Sequence, residues 1–333
     1  MKRGSPWILG LLLWTLLLNT AQARGTPPLE KMRAMYAAIG TSQSQIWIPY
    51  EAGLFRKYGL DVELLYIGSG SKAAQAMVAG EVPIGMFAGG AVINAGLAGA
   101  DLTMVASGLN VATFFLVTRP EIKQLEDLRG KKVAVTRVGS STDFALRFAS
   151  NKWTVKPDRD FTILQAGGVP EVFMALKSGA IQAGVLNTEF TIIARKEGLR
   201  DLVDFSAIGL AFPTSALTTT RSYIRSHEDT VRKFVRGYVD GVHLAKTNKT
   251  FVVKVLKKYY RSQDEASLAE AYDIYFGRYI LNVPTLSADA VKTVLDQLGE
   301  KDPRARAAKP EQFLEPRFMD ELEKEGFIQR LWR

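Results

Sequence analysis

The sequence predicts an α/β protein made of two similar lobes, and an internal repeat is the main reason. Residues 33–86 align without a gap on residues 132–185, a shift of 99 positions. Each copy reads strand, polar turn, helix, strand, glycine turn, helix and strand, the order of a doubly wound α/β layer. Identical residues recur at equivalent positions, as in the pairs Gly40/Gly139, Ser42/Ser141, Asp61/Asp160, Gly80/Gly179 and Gly85/Gly184. We therefore expect two matching lobes on either side of a cleft.

Length and composition agree with two globular lobes and exclude several kinds of chemistry. A chain of 333 residues is suited to two domains, and its hydrophobic content of 47% is sufficient for a core in each. The sequence contains no cysteine, which excludes disulfides, thiolate nucleophiles and thiolate metal sites. With His227 and His243 as the only histidines, imidazole chemistry has little to draw on.

Residues 1–23 have the pattern of an export signal. Lys2 and Arg3 precede an apolar run of 12 residues, 7–18, which is shorter than the roughly 20 residues of a membrane-spanning helix. Ala21-Gln22-Ala23 fits the small-x-small cleavage rule. We expect a periplasmic or secreted protein cleaved near Ala23, and an uncleaved anchor is the alternative. Without Lys2 and Arg3 the chain has 41 basic and 34 acidic residues, which we interpret as a mixed basic surface and not as a nucleic-acid site.

The order of the elements predicts how the lobes are divided. Two β-forming runs, 113–118 and 216–220, are typical of strands that cross from one lobe to the other. We expect lobe one to contain residues 30–117 and 212–333, and lobe two to contain residues 118–211. Two crossing strands then form the hinge. From residue 226 onward apolar residues follow the i, i+3, i+4 spacing of helices, and this tail is expected to cover lobe one.

One segment resembles a known family. Residues 48–63, Ile-Pro-Tyr-Glu-Ala-Gly-Leu-Phe-Arg-Lys-Tyr-Gly-Leu-Asp-Val-Glu, resemble the signature of the periplasmic binding proteins for nitrate, sulfonate, taurine and thiamine precursors. Residues 76–82 and 125–135 are similar to further elements of that family. The resemblance implies a class II periplasmic-binding-protein fold with a two-strand hinge and a helical C-terminal tail. It also implies a monomer without a cofactor that closes on a small ligand and presents it to an ABC permease and ATPase complex.

The sequence departs from the family pattern at three places. Pro83 and Gln182 stand where the Gly-x-x-Asp turns of the family usually have aspartate. After the last strand of lobe two, residues 187–190 read Asn-Thr-Glu-Phe where Glu-Pro is common. The fold is expected to tolerate these changes, whereas the class of ligand stays open.

The turns that open the first helix of each lobe are the main candidates for the ligand site. Ligands of doubly wound sheets bind beyond the carboxyl ends of the strands, where loops lead into helices. Free amides and hydroxyl groups at such helix starts favour an anion, for example a carboxylate or a sulfonate. The alternative is that Ser42 and Ser141 only cap their helices. The candidates in these turns are Thr41, Ser42 and Gln43 in lobe one and Ser140, Ser141 and Thr142 in lobe two.

Other candidates have an equally plain structural explanation. Trp47 is expected either to form an apolar wall for the ligand or to lie in the core. The amide of Gly89 is available at a third helix start, although close packing explains that glycine as well. Asn110 has either a ligand role or a turn role, and Glu189 is either the partner of a ligand amine or a solvated residue at a helix start. Ser69, in the turn 68–70, and Asn187 and Thr188, after the last strand of lobe two, complete the predicted set.

The favoured function is capture of a small organic anion or zwitterion for ABC import, without catalysis. An enzyme on the same fold, similar to a thiamine-pyrimidine synthase or a desulfinase, is one alternative. Such chemistry is expected to need a reactive cysteine or histidine, whereas this chain has no cysteine and its two histidines are poorly placed. A ligand-sensing extracellular module is the other. No metal-ligand spacing or nucleotide-binding glycine loop is present in the sequence.

Overall fold

The computed structural model describes residues 28–208 and 210–333, so the predicted export signal lies outside the described residues. The strands are β1 Glu30–Tyr36, β2 Leu60–Tyr66, β3 Ile84–Phe87, β4 Leu102–Val111, β5 Phe114–Thr118, β6 Lys132–Val135, β7 Thr162–Gln165, β8 Ala183–Asn187, β9 Arg200–Asp204 and β10 Ala211–Thr220. The helices up to the C-terminal tail are α1 Ser44–Glu51, α2 Leu54–Lys57, α3 Gly70–Val78, α4 Gly89–Leu97, α5 Ser141–Ser150, α6 Val169–Ser178 and α7 Thr188–Lys196. The tail consists of α8 Arg221–Ser226, α9 Glu228–Thr247, α10 Lys249–Tyr260, α11 Glu265–Ile274, α12 Ala288–Gly299, α13 Pro303–Ala307, α14 Arg317–Lys324 and α15 Phe327–Leu331.

The strands form two five-stranded sheets with the same arrangement. The first sheet has the order β2-β1-β3-β10-β4 and the second the order β7-β6-β8-β5-β9. In each sheet the first three strands are parallel, and the fourth runs antiparallel to both of its neighbours. Helices α4 and α7 each have nine residues and begin 99 positions apart, the shift seen in the sequence. The predicted fold of two doubly wound α/β lobes is therefore confirmed.

The chain passes between the sheets twice. It leaves the first sheet after β4 and enters the second with β5, and it returns between the end of β9 and the start of β10. All of β5 belongs to the second sheet, because Phe114–Thr118 pairs with Asn187–Ala183 along its whole length. The predicted lobes, 30–117 with 212–333 and 118–211, divide this strand near its end. That the two lobes move relative to each other with these boundaries remains a prediction.

The first helical segment differs from the expected one. The small polar residues 40–44, which are of the N-cap type, predict a single helix over residues 45–55, whereas α1 ends at Glu51 and α2 begins at Leu54. Gly53 separates them with a φ of +68°, in the left-handed region that glycine adopts without a steric penalty. The break redirects the chain so that Phe55 stacks on Phe234 of α9, with the ring centres 4.3 Å apart.

Three apolar clusters form the interior of the described residues, and two of them connect separate parts of the chain. In the first, the buried face of α9, including Phe234 and Tyr238, lies in one cluster with residues of the first sheet, so the helical tail covers that sheet. The second cluster runs from the first sheet into the second lobe without interruption. Phe144 of α5 stacks on Phe212 of β10 with ring centres 4.5 Å apart, which joins the two lobes through apolar contact.

Polar contacts also join the lobes in this closed arrangement. Asn151, beyond α5, donates to Glu300, beyond α12, at 3.1 Å, and Lys196 of α7 forms an ion pair with Asp264.

Across residues 28–208 and 210–333, every helix is too short or too polar to cross a bilayer.

Candidate functional site

A small cavity lies between the lobes, beyond the carboxyl ends of the parallel strands. Its volume is about 40 Å³. This is the position at which ligands bind in doubly wound sheets. The first lobe contributes Ala37, Ala38, Ser42, Gln43, Ser69, Gly70, Ala88 and Thr214, and the second contributes Phe114, Thr136, Ser141, Thr142, Gly168, Val169 and Asn187.

Six helical segments begin at this cavity. In the first lobe they are α3, α4 and the 3-10 turn Thr41–Gln43 that leads into α1, and in the second they are α5, α6 and α7. The start of a helix presents backbone N–H groups that have no acceptor within the helix, together with a partial positive charge. None of the described residues that line the cavity has a charged side chain. The arrangement therefore stabilises a negative group with neutral donors and helix dipoles.

The two serines at equivalent positions of the repeat both line this cavity. Ser42 and Ser141 occupy corresponding places in the two lobes. Neither serine caps a helix, because the cap positions belong to Gly40 and Ser140, which themselves make no side-chain cap bond. The hydroxyl groups of Ser42 and Ser141 are therefore available to a ligand.

Gln43 forms a fixed part of the first-lobe wall. Its Oε1 accepts from the Ala37 N–H at 3.3 Å, and its Nε2 donates to Ser215 Oγ at 3.3 Å. Ser215 Oγ in turn donates to the carbonyl of Ser42 at 2.8 Å. This chain of bonds holds the predicted turn to β10, the antiparallel strand of the first sheet.

Three hydroxyl groups form a cluster in the second-lobe wall. Thr136 Oγ1 lies 2.8 Å from Ser140 Oγ and 3.0 Å from Thr142 Oγ1, and the latter two are 2.9 Å apart. Ser140 Oγ also lies within hydrogen-bond distance of the Arg137 carbonyl, at 2.7 Å. Of the three, Thr136 and Thr142 line the cavity and Ser140 lies behind them. Ser140 supports the wall and Thr142 forms part of it.

Asn187 and Ser69 combine a cap with a place at the cavity. Asn187 Oδ1 accepts from the Phe190 N–H at 3.2 Å, while its Nδ2 donates to the Ile39 carbonyl of the other lobe at 3.2 Å. Ser69 caps α3 through its Oγ, which accepts from the Lys72 N–H at 3.4 Å. Ser69 has a φ of 107°, which is unusual for a residue with a side chain.

Glu189 makes a short, buried polar contact between the lobes. Its Oε1 accepts from the backbone N–H of Thr41 at 2.6 Å, so a carboxyl group of lobe two occupies a helix start of lobe one. Glu189 is 4% exposed, and the alternative of a solvated residue is therefore wrong. Burial raises the pKa of Glu189, and the bond from Thr41 lowers it by less. Glu189 forms no ion pair with any described residue.

Other polar atoms near this contact are buried and unsatisfied. Glu189 Oε2, Thr41 Oγ1 and the Tyr260 hydroxyl have no hydrogen-bond partner among the described residues. Burial raises the pKa of Tyr260 well above its ordinary value, and the charge of Glu189 raises it further. The closed arrangement therefore places a carboxyl group in low-dielectric surroundings without a cation to neutralise it.

Seven predicted residues do not line the cavity, namely Thr41, Ser140 and Glu189, which are described above, and four more. Trp47 is fully buried and stacks on Tyr259 with ring centres 4.3 Å apart, so it belongs to the core. Gly89 packs closely against Pro213 and Met104 of the interior, so close packing explains why a glycine stands there. The other two are Asn110, which accepts from Ser107 Oγ and donates to the Thr285 carbonyl, and Thr188, which is buried in the first turn of α7.

Several lining residues were not among the candidates from the sequence. Phe114 and Thr214 lie on β5 and β10, the strands that connect the two lobes. Thr136 directly follows β6, and Gly168 and Val169 open α6. The repeat itself contained a signal for the last pair, because Gly168 and Val169 correspond to Ser69 and Gly70 at the shift of 99.

Comparison with known proteins places the chain in a family. A family model described as NMT1/THI5 like matches residues 43–249, from the first helix start at the cavity to the beginning of α10. The chain belongs to the NMT1/THI5-like family. The resemblance found in the sequence is confirmed by this match.

Relatives with curated names are described as binding proteins. YtlA of Bacillus subtilis (strain 168) is provisionally named as a binding protein. It is 21% identical to this chain over 226 residues, which span 66% of this chain and 68% of YtlA. A protein of Brucella abortus (strain 2308), also provisionally named as a binding protein, is 31% identical over 166 residues. The aligned part spans 47% of the length of each of these two chains, the present one and the Brucella relative.

Solved structures share the fold. A protein of Bordetella bronchiseptica RB50 superimposes with a TM-score of 0.80 at 19% identity, covering 89% of this chain and 97% of that one. The alkanesulfonate-binding protein SsuA of Xanthomonas axonopodis pv. citri, bound to MOPS, gives 0.73 at 17% identity, with coverage of 87% and 100%. The nitrate-binding protein NrtA of Synechocystis PCC 6803 gives 0.72 at 13% identity and covers 89% of each chain. These similarities confirm the predicted periplasmic-binding-protein fold.

Proposed function

We propose that this protein is an exported substrate-binding protein that captures a small organic anion or zwitterion between its lobes and delivers it to an ABC importer. The convergence of six helix starts on one cavity without charged side chains is the observation that supports this function. The solved neighbours bind anions according to their names, nitrate in one case and alkanesulfonate in another. The anionic ligand class is consistent with both observations.

The energetics require contacts from both lobes. One helix start contributes about 0.3–1 kcal/mol to a nearby negative charge, and Glu189 already occupies one of the six, so the other five contribute roughly 1.5–5 kcal/mol. A hydrogen bond to a charged group adds about 1.5–3 kcal/mol. Micromolar affinity needs about 8 kcal/mol, which neither lobe supplies from three helix starts alone. A ligand that touches both lobes therefore favours the closed arrangement, and its binding shifts the population towards closure.

The size of the cavity limits what the closed centre holds. One water needs roughly 10–15 Å³ of such volume, so a cavity of about 40 Å³ has room for roughly three waters. A single carboxylate or sulfonate group has a comparable size. We therefore propose that the acidic group of the ligand lies in this cavity and that the rest of the ligand extends outward.

A thermal-shift panel tests the ligand class. The purified protein is heated with methanesulfonate, acetate, benzoate, nitrate, choline and glucose, and native mass spectrometry identifies any ligand retained from expression. Stabilisation by at least one of the anions is the expected result, because the cavity presents donors and positive dipoles. Stabilisation by choline or glucose with no response to any anion would contradict the proposal.

Substitution of the two equivalent serines tests the position of the site. Ser42→Leu and Ser141→Leu should each weaken binding of the stabilising anion, because the new side chains fill the cavity. Ser178→Leu, at an exposed serine, is the matched control and should bind as the wild type does. Binding is measured by calorimetry on variants that retain a cooperative melting transition. Wild-type affinity in both cavity variants would remove these turns from the site.

Export and delivery need separate experiments. N-terminal sequencing of protein recovered from the periplasm should show a start near Arg24 if the signal is cleaved near Ala23. Vesicles that contain the permease and ATPase should take up the stabilising anion only when the binding protein is present. Uptake that is independent of the protein would favour the sensing alternative over the transport function.

A further inference from the structure

A wider groove opens beside the cavity, and its walls are aromatic. It has a volume of about 550 Å³ and is lined from both lobes. We name it the tyrosine groove, defined by Tyr36, Tyr66, Phe190, Tyr259, Tyr260 and Arg261. Ile39 and Pro170 also line it, and they follow directly on the residues that line the cavity at 37–38 and 168–169. The two spaces are therefore neighbours along the same segments of chain.

We propose that the tyrosine groove holds an aromatic body of the ligand and that Arg261 pairs with a second acidic group on it, so that the ligand is an aromatic diacid. This inference rests on the proposed function, because it places one acidic group of the same ligand in the cavity. The cavity has room for that group alone, whereas a groove of about 550 Å³ lies within the usual range of roughly 300–1,000 Å³ for small-molecule sites.

The aromatic walls leave a ring face accessible. Tyr66 is 42% exposed, which is high for a large side chain at the edge of a core. Tyr36 supports it with ring centres 5.3 Å apart and contacts Tyr259 edge-on at 5.8 Å. A planar ring that enters the groove can stack on this pre-assembled set without a rearrangement of the tyrosines, and such ring pairs add affinity beyond the area they bury.

Arg261 supplies a charge that the described protein does not neutralise. It directly follows α10 with a φ of 51°, in the left-handed region, and it forms no ion pair with any described residue. Burial raises the pKa of Tyr36, and the charge of Arg261 partly opposes this effect, which indicates that the guanidinium lies near the tyrosines. The other cation of the groove, Lys258, is already paired with Glu51 at 2.7 Å. A guanidinium binds a carboxylate in a bidentate fashion, which suits an acidic group on the ligand.

A second groove of similar volume lacks these properties. It measures about 560 Å³, and its lining includes three acidic and three basic residues, so its charges balance. Arg147 is held there by Asp143 and Asp158, each at 2.8 Å. Its aromatic residue, Phe144, is buried against Phe212 and offers little ring surface. An aromatic acid therefore has a complementary surface in the tyrosine groove and none of comparable kind in the second groove.

Calorimetry with matched acids tests the inference. The probes are the three benzenedicarboxylate isomers, benzoate, which lacks the second acid, and adipate, which lacks the ring. At least one aromatic diacid should bind about tenfold more tightly than benzoate and about threefold more tightly than adipate. The reason is that only an aromatic diacid contacts both the Arg261 guanidinium and the tyrosines. Arg261→Ala should remove the advantage over benzoate, and Tyr66→Ala should remove the advantage over adipate.

Matched variants in the second groove separate the possible outcomes. Lys301→Ala removes a cation and Val138→Ala removes exposed apolar surface from that groove, and both should bind as the wild type does. Equal affinities of the wild type for benzoate and every diacid, or equal losses in all four variants, would overturn the tyrosine-groove inference and leave anion capture in the cavity intact. If no anion binds, the proposed function fails together with it.

Discussion

The buried Glu189 predicts a pH dependence of closure that needs no ligand for its test. In the closed arrangement its carboxyl group accepts the Thr41 N–H at 2.6 Å, and burial raises its pKa. When the lobes separate or the chain unfolds, the group returns to its ordinary pKa of about 4.5. The closed form therefore binds the proton more tightly. The stability that protonated Glu189 adds to the closed form is fully present below pH 4.5. It is lost as the pH rises through the raised pKa of this group.

The size of the effect follows from one proton. Between the ordinary and the raised pKa the closed form holds up to one proton more than the open form. The free energy of closure then weakens by at most about 1.4 kcal/mol, a factor of ten, for each pH unit in that window. Glu189→Gln retains an oxygen that can accept from Thr41 and removes the charge. The variant should therefore remain closed at a pH at which the wild type opens.

Small-angle scattering and thermal unfolding across pH 4.5–8 measure the difference. The radius of gyration of the ligand-free wild type should rise with pH relative to that of Glu189→Gln. If the wild type stays closed, its melting temperature should fall instead, by about 2–4 °C for each kcal/mol. Glu81→Gln, at an exposed carboxyl group without an ion pair among the described residues, is the control for removal of any carboxylate. Curves of wild type and Glu189→Gln that run parallel in both measurements would refute the reasoning.

Substitutions at three further positions separate packing from ligand contact. Gly89→Ala should lower the free energy of unfolding by about 1–3 kcal/mol, because a methyl group there lies 2.4 Å from Pro213 Cγ; an unchanged urea midpoint would show that the interior can adjust. Asn187→Ala should cost about 1 kcal/mol through loss of the α7 cap, and scattering should show easier opening because the bond to Ile39 is lost as well. Asn187→Asp should keep the cap but place a buried carboxylate against the Ile39 carbonyl, so it should open more readily still and melt below the wild type. Trp47→Ala should cost about 3–5 kcal/mol in chemical denaturation, and a large loss of anion affinity in its folded fraction would contradict its assignment to the core.

Local patterns were sufficient for much of the fold. In residues 60–66 apolar and polar side chains alternate, which predicts a strand there, and β2 has these limits, because alternation reports directly on which face is buried. The 99-residue repeat predicted equivalent helices, and α3 and α6, which lie within it, begin 99 positions apart. Predictions were weaker where one residue decides: the break at Gly53 depends on a backbone angle that hydrophobic periodicity does not report.

For the site, the sequence by itself indicated that the turns opening α1, α3, α5 and α7 meet the cavity, since helix starts that follow parallel strands lie at one edge of each sheet. It did not single out the turn that opens α6. It could not determine the direction of single side chains. Trp47 faces the core, Asn110 is hydrogen-bonded within lobe one, and Glu189 contacts the other lobe. In each case contacts with residues that are distant in the sequence set the orientation of the side chain. The tyrosine groove likewise exists only after folding, when the ends of β1, β2 and α10 are brought against α7. Sequence determines where donors can occur, and tertiary contact between the lobes decides which of them remain free for a ligand.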